Sequence, residues 1–268
     1  MTSTPLVSVI VVSWNVAESL RRCLESVFAS KYPHLEVLVI DNASSDASAS
    51  VAKSYPVQFI QNTKNLGFPK AVNIGLRQSR GDYLLVLNPD TRLPTGFFTQ
   101  AIQFFTAFAD AGLMGPKLVD PDGTPQGSVF PEPSIIASFK EFWLGVKGLT
   151  AKYVPATNQP VVVPAVSGSC LFFPRSTLAK VGLFTEEVFM YFEDLDYCRR
   201  LRHLGLSVYF QPQIIVVHKH GTSARQSPSA SDWRGHLWSS SLWYNGHLKH
   251  YFLWFISYSG QKLRSVFR

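Results

Sequence analysis

Val7-Ser8-Val9-Ile10-Val11-Val12-Ser13-Trp14-Asn15 opens on a β-branched run and stops on polar residues, and Val37-Leu38-Val39-Ile40-Asp41-Asn42-Ala43-Ser44-Ser45-Asp46 repeats the design. Short apolar runs bounded by turn formers read as strands of a sheet covered on both faces. Between them Ala17, Leu20, Leu24, Val27 and Phe28 recur at helical spacing. Working outward, a second helix is expected from about Asp46, capped by Ser44 or Ser45. Val57 to Ile60 and Tyr83 to Leu87 read as further strands, separated by a helix from about Pro69 to Gln78, with Pro69 suited to its first turn. Strand, helix, strand in this order predicts an α/β fold. Its mostly parallel central sheet is flanked by helices, and its variable loops gather at the carboxyl ends of the strands. Those ends deliver Ser13-Trp14-Asn15, Asp41-Asn42 and Asn88-Pro89-Asp90 to one edge.

Farther along, Phe97 to Phe108 reads as helix and Pro116 to Pro164, rich in Pro and Gly, as an irregular excursion over the sheet. Val161 to Phe173 returns as strand, Glu193 to Leu204 as helix, and Val208 to Val217 as a strand pair broken at Pro212. The core is expected to end near His218. The short-chained, polar stretch Thr222 to Asp232 is the best candidate for a mobile loop. There is no internal repeat and no low-complexity tract.

The chain has 268 residues, 46% of them apolar, enough to bury one large core. Cys23, Cys170 and Cys198 are odd in number and match no metal-ligand spacing, so reduced thiols in the cytosol are expected, with packing as their role. Met1 to Val7 lacks the charged start and apolar core of a cleavable signal, so the protein is expected to stay inside the cell. The net charge is +7, and from Arg199 onward ten Lys and Arg residues face Asp232 alone. A basic C-terminal third on a nearly neutral body points to an anionic partner, such as phosphates, lipid headgroups or nucleic acid, or else to a solvated basic face. No nucleic-acid module is recognisable. Neither a Gly-x-x-x-x-Gly-Lys-Ser/Thr loop nor a Gly-x-Gly-x-x-Gly after a strand is present, which argues against an ATPase and a dinucleotide enzyme.

Asp41 has two readings. At a strand end it can accept a hydrogen bond from a pyrimidine imide while Trp14 offers a stacking face; equally, it can close an Asx turn in Asp-Asn-Ala-Ser-Ser-Asp. Asn65-Leu66-Gly67-Phe68-Pro69-Lys70 precedes a helix, so backbone N–H groups and one ammonium could face a diphosphate. Asp90 either forms an Asn-Pro-Asp turn or holds a divalent cation, Mg²⁺ or Mn²⁺, against donor phosphates; one protein carboxylate suffices for Mg²⁺. Glu193, Asp194 and Asp196 follow the aromatic block Phe189-Met190-Tyr191-Phe192. They can complement the helix macrodipole, or, partly desolvated by that block, one can serve as a general base. His218, with His220 beside it, is the candidate second metal ligand.

Together these stretches resemble the family 2 glycosyltransferases, in particular the rhamnosyltransferase-like branch. The matching stretches run from Val7 to Asn15, Val39 to Asp46, Asn65 to Gly75, Gly81 to Thr91, Val166 to Phe172 and Met190 to Arg200. The resemblance implies a GT-A fold over about 1–223, with a nucleotide-sugar-binding half to about 115 and an acceptor half to 223, followed by a basic aromatic tail over 224–268. It implies donor contacts at Ser13, Trp14, Asp41, Lys70 and Asn73 and a metal on Asp90; Asn15, Asn42, Asn65, Gly67 and Asn88 are further candidate donor contacts in the same stretches, and His218 remains the candidate second metal ligand. It places Gly168, Ser169 and Asp196 on the acceptor side and makes Asp194 the base, supported by Glu193. The implied reaction is inverting transfer of a sugar, rhamnose first, from a dTDP- or UDP-sugar to a hydroxyl of a glycan or lipid-linked acceptor in cell-surface polysaccharide synthesis. The alternative is a catalytically silent member that binds nucleotide sugars or a partner. Asn88-Pro89-Asp90 stands where the wider family has Asp-x-Asp, and Pro69-Lys70 where it has Gly or Ala.

In the tail, Leu237, Tyr244, Leu248, Phe252 and Phe255 lie near one helical face among Trp233, Trp238, Trp243 and Trp254. Its longest apolar run is too short to span a bilayer. With its basic residues it suits peripheral contact with the inner face of the membrane, or else a cap on the core or a homodimer contact.

Overall fold

The computed structural model describes residues 4–219 and 230–266. The apolar runs at the amino end are strands β1 (Val7–Ser13), β2 (Leu35–Asp41), β3 (Gln58–Gln61) and β4 (Tyr83–Leu87), joined by helices α1 (Ala17–Ala29), α2 (Ser48–Lys53) and α3 (Phe68–Gln78). Every residue of β1 is buried because β2 and β4 flank it in parallel, Val7 facing both Leu35 and Tyr83, and Ser13 facing Asp41. Alternate residues serve opposite layers. Val7, Val9 and Val11 pack with Leu20, Leu24 and Phe98, while Ile10 and Val12 pack with Val72, Leu76 and Tyr197.

The chain continues through β5 (Thr91–Arg92), α4 (Phe97–Ala107), β6 (Ala111–Val119), β7 (Val129–Phe130) and α5 (Ile135–Phe142). Next come β8 (Val161–Val162), β9 (Ala165–Val166), β10 (Cys170–Pro174), α6 (Arg175–Val181), α7 (Glu193–His203) and β11 (Ser207–His218). The main sheet has the order β3-β2-β1-β4-β10-β6-β11-β5, with β8 beside β11, and β7 pairs β9 separately. β10 runs antiparallel to β4 and β6, and β11 runs parallel to β6. The carboxyl ends of β1, β2, β4 and β11 therefore share one edge.

Several expectations are corrected. β6 begins before, and crosses into, the stretch read as irregular; Gly112, Gly115 and Pro116 interrupt its apolar run, and its partners lie far along the chain. Val161 to Phe173 is three strands rather than one, divided at Pro164 and at Ser167-Gly168. Pro212 does not split a strand pair; β11 is one strand whose register jumps from Gln211 opposite Pro116 to Ile215 opposite Lys117, a bulge that absorbs the proline. Helix α2 starts after Ala47 with no side-chain cap, because Ser44 is drawn to Asp41 and Ser45 to Asn15.

The tail forms α8 (Ala230–Asn245) and α9 (His247–Val266), divided at Gly246, so the single face expected from Leu237 to Phe255 does not form. Tyr244 is buried whereas Leu248, Phe252 and Phe255 are exposed. α9 packs against α5 and α8. His220 and residues 222–229 of the expected loop lie outside the described residues. Among the described residues no helix is long and apolar enough to cross a membrane. The three cysteines are buried and free, and burial pushes the thiols of Cys23 and Cys198 up to about 12, so they remain protonated packing groups.

Candidate active site

The site grows from the shared sheet edge. At the tip of β2, Asp41 is fully buried. Its Oδ1 accepts from Ser13 Oγ at 2.9 Å and Ser44 Oγ at 2.5 Å, and its Oδ2 accepts from the Ser44 N–H at 3.0 Å. Asn15, at φ 53, accepts through Oδ1 from the Ser45 N–H at 2.7 Å. Asn42 donates to the Gly67 carbonyl at 3.1 Å and accepts from Asn62 at 2.8 Å. Asn73 is fully buried, its amide clamping both backbone groups of Phe184 and donating to Glu186 Oε1 at 2.8 Å. These groups knit the loops to one another. Trp14 is half-buried and Lys70 is exposed in the first turn of α3.

Asn65 Oδ1 accepts from the Gly67 N–H at 2.9 Å, shaping the turn into α3. Gly67 has φ 84, and a Cβ there would overlap the Phe189 carbonyl, which itself accepts from the Phe68 N–H at 2.8 Å. The turn is thus pressed against the aromatic strap before α7. Tyr191 and Phe192 in that strap have φ of 70 and 65, a left-handed pair with side chains, which is costly backbone. Helix α8 braces it: Ser240 Oγ donates to the Met190 carbonyl at 2.8 Å, His236 stacks on Phe189 and Tyr244 packs against Phe192.

Beyond β4, the Asn88 N–H donates to the Ser169 carbonyl at 2.9 Å and the Asn88 carbonyl accepts from Thr91 Oγ1 at 2.6 Å, a turn that holds Asp90. Asp90 is buried, its Oδ1 has no hydrogen-bond partner, and His218 Nε2 stands 3.4 Å from that oxygen. His218 Nδ1 lies 2.8 Å from Gln126 Oε1. With the proton on Nδ1, Nε2 keeps its lone pair toward Asp90, the orientation a metal-binding imidazole needs. An unpartnered carboxylate oxygen beside an imidazole nitrogen fits a divalent cation that draws its other ligands from substrate oxygens. Among the described residues no group of three or more His, Cys, Asp or Glu side chains could hold such an ion.

Ser169 Oγ lies 3.4 Å from His218 Nε2, and the adjacent Gly168 N–H donates to Asp194 Oδ2 at 2.9 Å. Asp90, His218, Ser169, Gly168 and Asp194 thus form one connected chain. Asp194 Oδ1 also accepts from its own helix at the Leu195 N–H, 2.9 Å. Burial lifts the Asp194 carboxyl above its ordinary range, opposed by Lys152 and by the two backbone N–H groups. Glu193 is buried with Oε2 unpartnered; burial first and the Asp194 charge second lift its carboxyl to about 8. Asp196 is engaged elsewhere, its two oxygens bound by Arg199 Nη2 at 3.1 Å and Arg200 Nε at 2.8 Å, and it borders a surface depression of about 540 Å³ with His203 and Trp243.

Sequence reasoning missed Gln126 and Lys152. Gln126 lies 92 residues from its partner His218, and no local pattern announces such a pairing. Lys152 sits in the stretch read as irregular, where Tyr153 bridges to Val129.

The sequence profile of glycosyl transferase family 2 matches residues 8–168. The chain belongs to this family and is a glycosyltransferase. It is 30% identical over 246 residues to the N-acetylglucosaminyl-diphospho-decaprenol L-rhamnosyltransferase of Mycobacterium tuberculosis, covering 84% of this chain and 80% of that one. It is 22% identical over 206 residues to the low-salt glycan biosynthesis hexosyltransferase Agl10 of Haloferax volcanii, covering 75% of this chain and 63% of that one. Among solved structures it is similar to the mannosyltransferase PcManGT of Pyrobaculum calidifontis in complex with GDP-Man and Mn²⁺. That match has a TM-score of 0.60 and 21% identity over 90% of this chain and 64% of that one. It is also similar to TarS of S. aureus in complex with UDP-GlcNAc, with a TM-score of 0.58 and 17% identity over 94% of this chain and 70% of that one. These likenesses identify the architecture as the GT-A glycosyltransferase fold, with the central sheet mostly parallel and covered by helices.

Proposed function

We propose that this glycosyltransferase moves a sugar, rhamnose first among candidates, from a nucleotide-diphosphate donor to a hydroxyl of a lipid-linked glycan, with inversion at the anomeric carbon. The observation that carries the proposal is the connected chain from Asp90 to Asp194, which sets an unpartnered carboxylate oxygen and a proton acceptor along one sheet edge. Trp14 supplies a stacking face for the donor base, with Asp41, Ser13, Asn15 and Asn42 shaping the loop beneath it. Lys70, Asn65 and Gly67 form the turn that faces the diphosphate, and Asn88 holds the next turn. Asp90 and His218 would hold Mg²⁺ or Mn²⁺, which supplies a Lewis acid for the departing diphosphate.

The chemistry then falls to Asp194. It takes the proton of the acceptor hydroxyl as that oxygen bonds to the anomeric carbon, while the bond from that carbon to the diphosphate oxygen breaks and the diphosphate leaves with the electron pair. One displacement inverts the centre. A positioned base typically contributes about 10²–10⁴-fold. Burial raises the basicity of Asp194, and the Gly168 and Leu195 N–H groups fix its direction.

Rhamnose, a dTDP donor and a lipid-linked acceptor in cell-envelope synthesis follow from the likeness to the mycobacterial rhamnosyltransferase. Mn²⁺ is supported by the neighbour solved with that ion. An acceptor anchored in lipid also favours peripheral contact of α8 and α9 with the inner membrane surface. The test is a panel of dTDP-, UDP- and GDP-sugars offered with a polyprenyl-diphosphate N-acetylglucosamine acceptor, read as nucleoside diphosphate release with and without chelator. Fastest release from dTDP-rhamnose, lost on chelation, is expected. Donor binding without release in every combination would replace the proposal with a silent nucleotide-sugar binder.

A further inference from the structure

We infer that α5, the loop that follows it and α9 form one composite docking face for an anionic lipid bilayer. This rests on the reading of a lipid-linked acceptor and extends the contact beyond the C-terminal helices. On α9, Leu248, Tyr251, Phe252, Phe255 and Tyr258 recur at helical spacing and are all exposed, Leu248 at 74% and Phe255 at 59%. The opposite side of the helix buries His250 and Gly260 and partly buries Leu253, Ile256 and Ser257. α9 thus packs a mixed side of aliphatic, small and polar residues against the protein and still turns a stripe of large aromatic residues outward, where an ordinary surface helix presents polar groups.

α5 and its loop add to this stripe. Ile136 is 69% exposed and Leu144 is 64% exposed, with Phe139, Trp143 and Val146 also outward. The two segments are joined. Trp143 stacks on Phe139 and donates from Nε1 to the Ile256 carbonyl at 3.2 Å, while Gly260 lets the Phe142 backbone approach so closely that a Cβ would meet its carbonyl at 2.6 Å. The exposed edge of α5 thus abuts α9 in one aromatic surface. Exposed apolar surface of this extent marks an interaction site.

Charge selects the occupant. Lys140, Lys147, Lys249 and Lys262 lie in these segments against Glu141 alone, whose Oε2 accepts from the Thr150 N–H. α9 itself contains no acidic residue. A second copy on this face would bring lysines against lysines. An anionic bilayer offers hydrocarbon to the aromatic stripe and phosphate to the lysines.

The experiment is co-sedimentation of the full chain with phosphatidylglycerol-containing vesicles and with purely phosphatidylcholine vesicles. Three variants are compared: Ile136→Ser with Leu144→Ser, Leu248→Ser with Phe255→Ser, and Lys140→Gln with Lys147→Gln. All six positions are solvent-facing, and circular dichroism confirms folding. Each apolar pair is expected to lower partitioning about tenfold or more, and the lysine pair about fivefold per charge removed on anionic vesicles only. Unchanged binding of the α5 variant beside lost binding of the α9 variant would overturn the composite face and leave contact through the tail alone. No binding by the unaltered chain would overturn both. A dimer in light scattering that the same substitutions disperse would assign the face to a second copy and overturn the inference. Turnover on a water-soluble acceptor analogue is expected to survive all three variants. If the unaltered chain binds vesicles but turns over no acceptor, the transferase reading fails while the docking face stands.

Discussion

Asp41 and Glu193 are both buried carboxylates close to the same sheet edge, and the molecule treats them in opposite ways. Asp41 spends its oxygens on Ser13 and Ser44, whereas Glu193 keeps an oxygen without any partner and carries a raised pKa. The contrast extends around each residue. The tips of β1 and β2 are saturated with protein hydrogen bonds through Asn15 and Asn42, while the ends of β4 and β11 and the start of α7 leave Asp90 Oδ1 and Glu193 Oε2 unsatisfied. Buried polar groups are normally paired, so under the proposed mechanism these two oxygens are where substrate or metal would complete the site. In that reading the amino-terminal loops act as a frame, and the proposed reactive groups cluster across it.

The sharpest way to break this contrast is Asp194→Asn. Turnover is expected to fall about 10²–10⁴-fold while donor affinity in calorimetry stays within about twofold; retained turnover would remove Asp194 from the chemistry. Asp90→Ala comes next, lowering donor affinity in the presence of Mn²⁺ by about tenfold or more and removing its dependence on the ion. Metal dependence unchanged in the same titration would return Asp90 to a turn residue. Asp41→Ala is expected to act on stability, leaving Ser13 and the Ser44 N–H unpaired at a cost of about 2 kcal/mol in urea unfolding. A weakened donor with unaltered unfolding would show instead that the donor base displaces those serines.

Glu193 tests the contrast through the pH dependence of stability. Its folded-state pKa of about 8 exceeds the ordinary 4.5, so the folded chain holds a proton that the unfolded chain releases. The stability this proton confers is complete below about pH 4.5 and is lost as pH rises toward about 8. Glu193→Gln is expected to flatten that decline, by on the order of a few kcal/mol at the alkaline end. A pH profile identical to that of the unaltered chain would contradict the burial of a protonated Glu193.

The parallel strands were legible because β1, β2 and β4 are short, uninterrupted apolar runs rich in β-branched and leucine residues and closed by turn residues, too short for buried helices. β6 was not, since Gly112, Gly115 and Pro116 carry no strand signal and only pairing with β10 and β11 fixes them. The same limit governs the site. Asp90, Asp194 and His218 stood out by residue type and position, but the links between them run through Ser169 and Gly168 and through Gln126, contacts that depend on how distant strands are ordered. Asp196 belongs to the same acidic run as Asp194, yet its engagement with Arg199 and Arg200 follows from the helical repeat and from what packs on each side of α7.

The bracing of the strap by α8 bears on how the C-terminal helices can be studied. Ser240 and His236 hold Met190 and Phe189, and Tyr244 hydrogen-bonds Glu132 at 3.1 Å and lies under the Arg199 guanidinium. Cutting the chain before these helices would remove the brace from the strap that leads into the acidic pair and take one partner from Arg199, so a shortened protein is expected to lose turnover whether or not it ever touched lipid. Surface substitutions on the outward side of α9 separate the two roles, and deletion merges them.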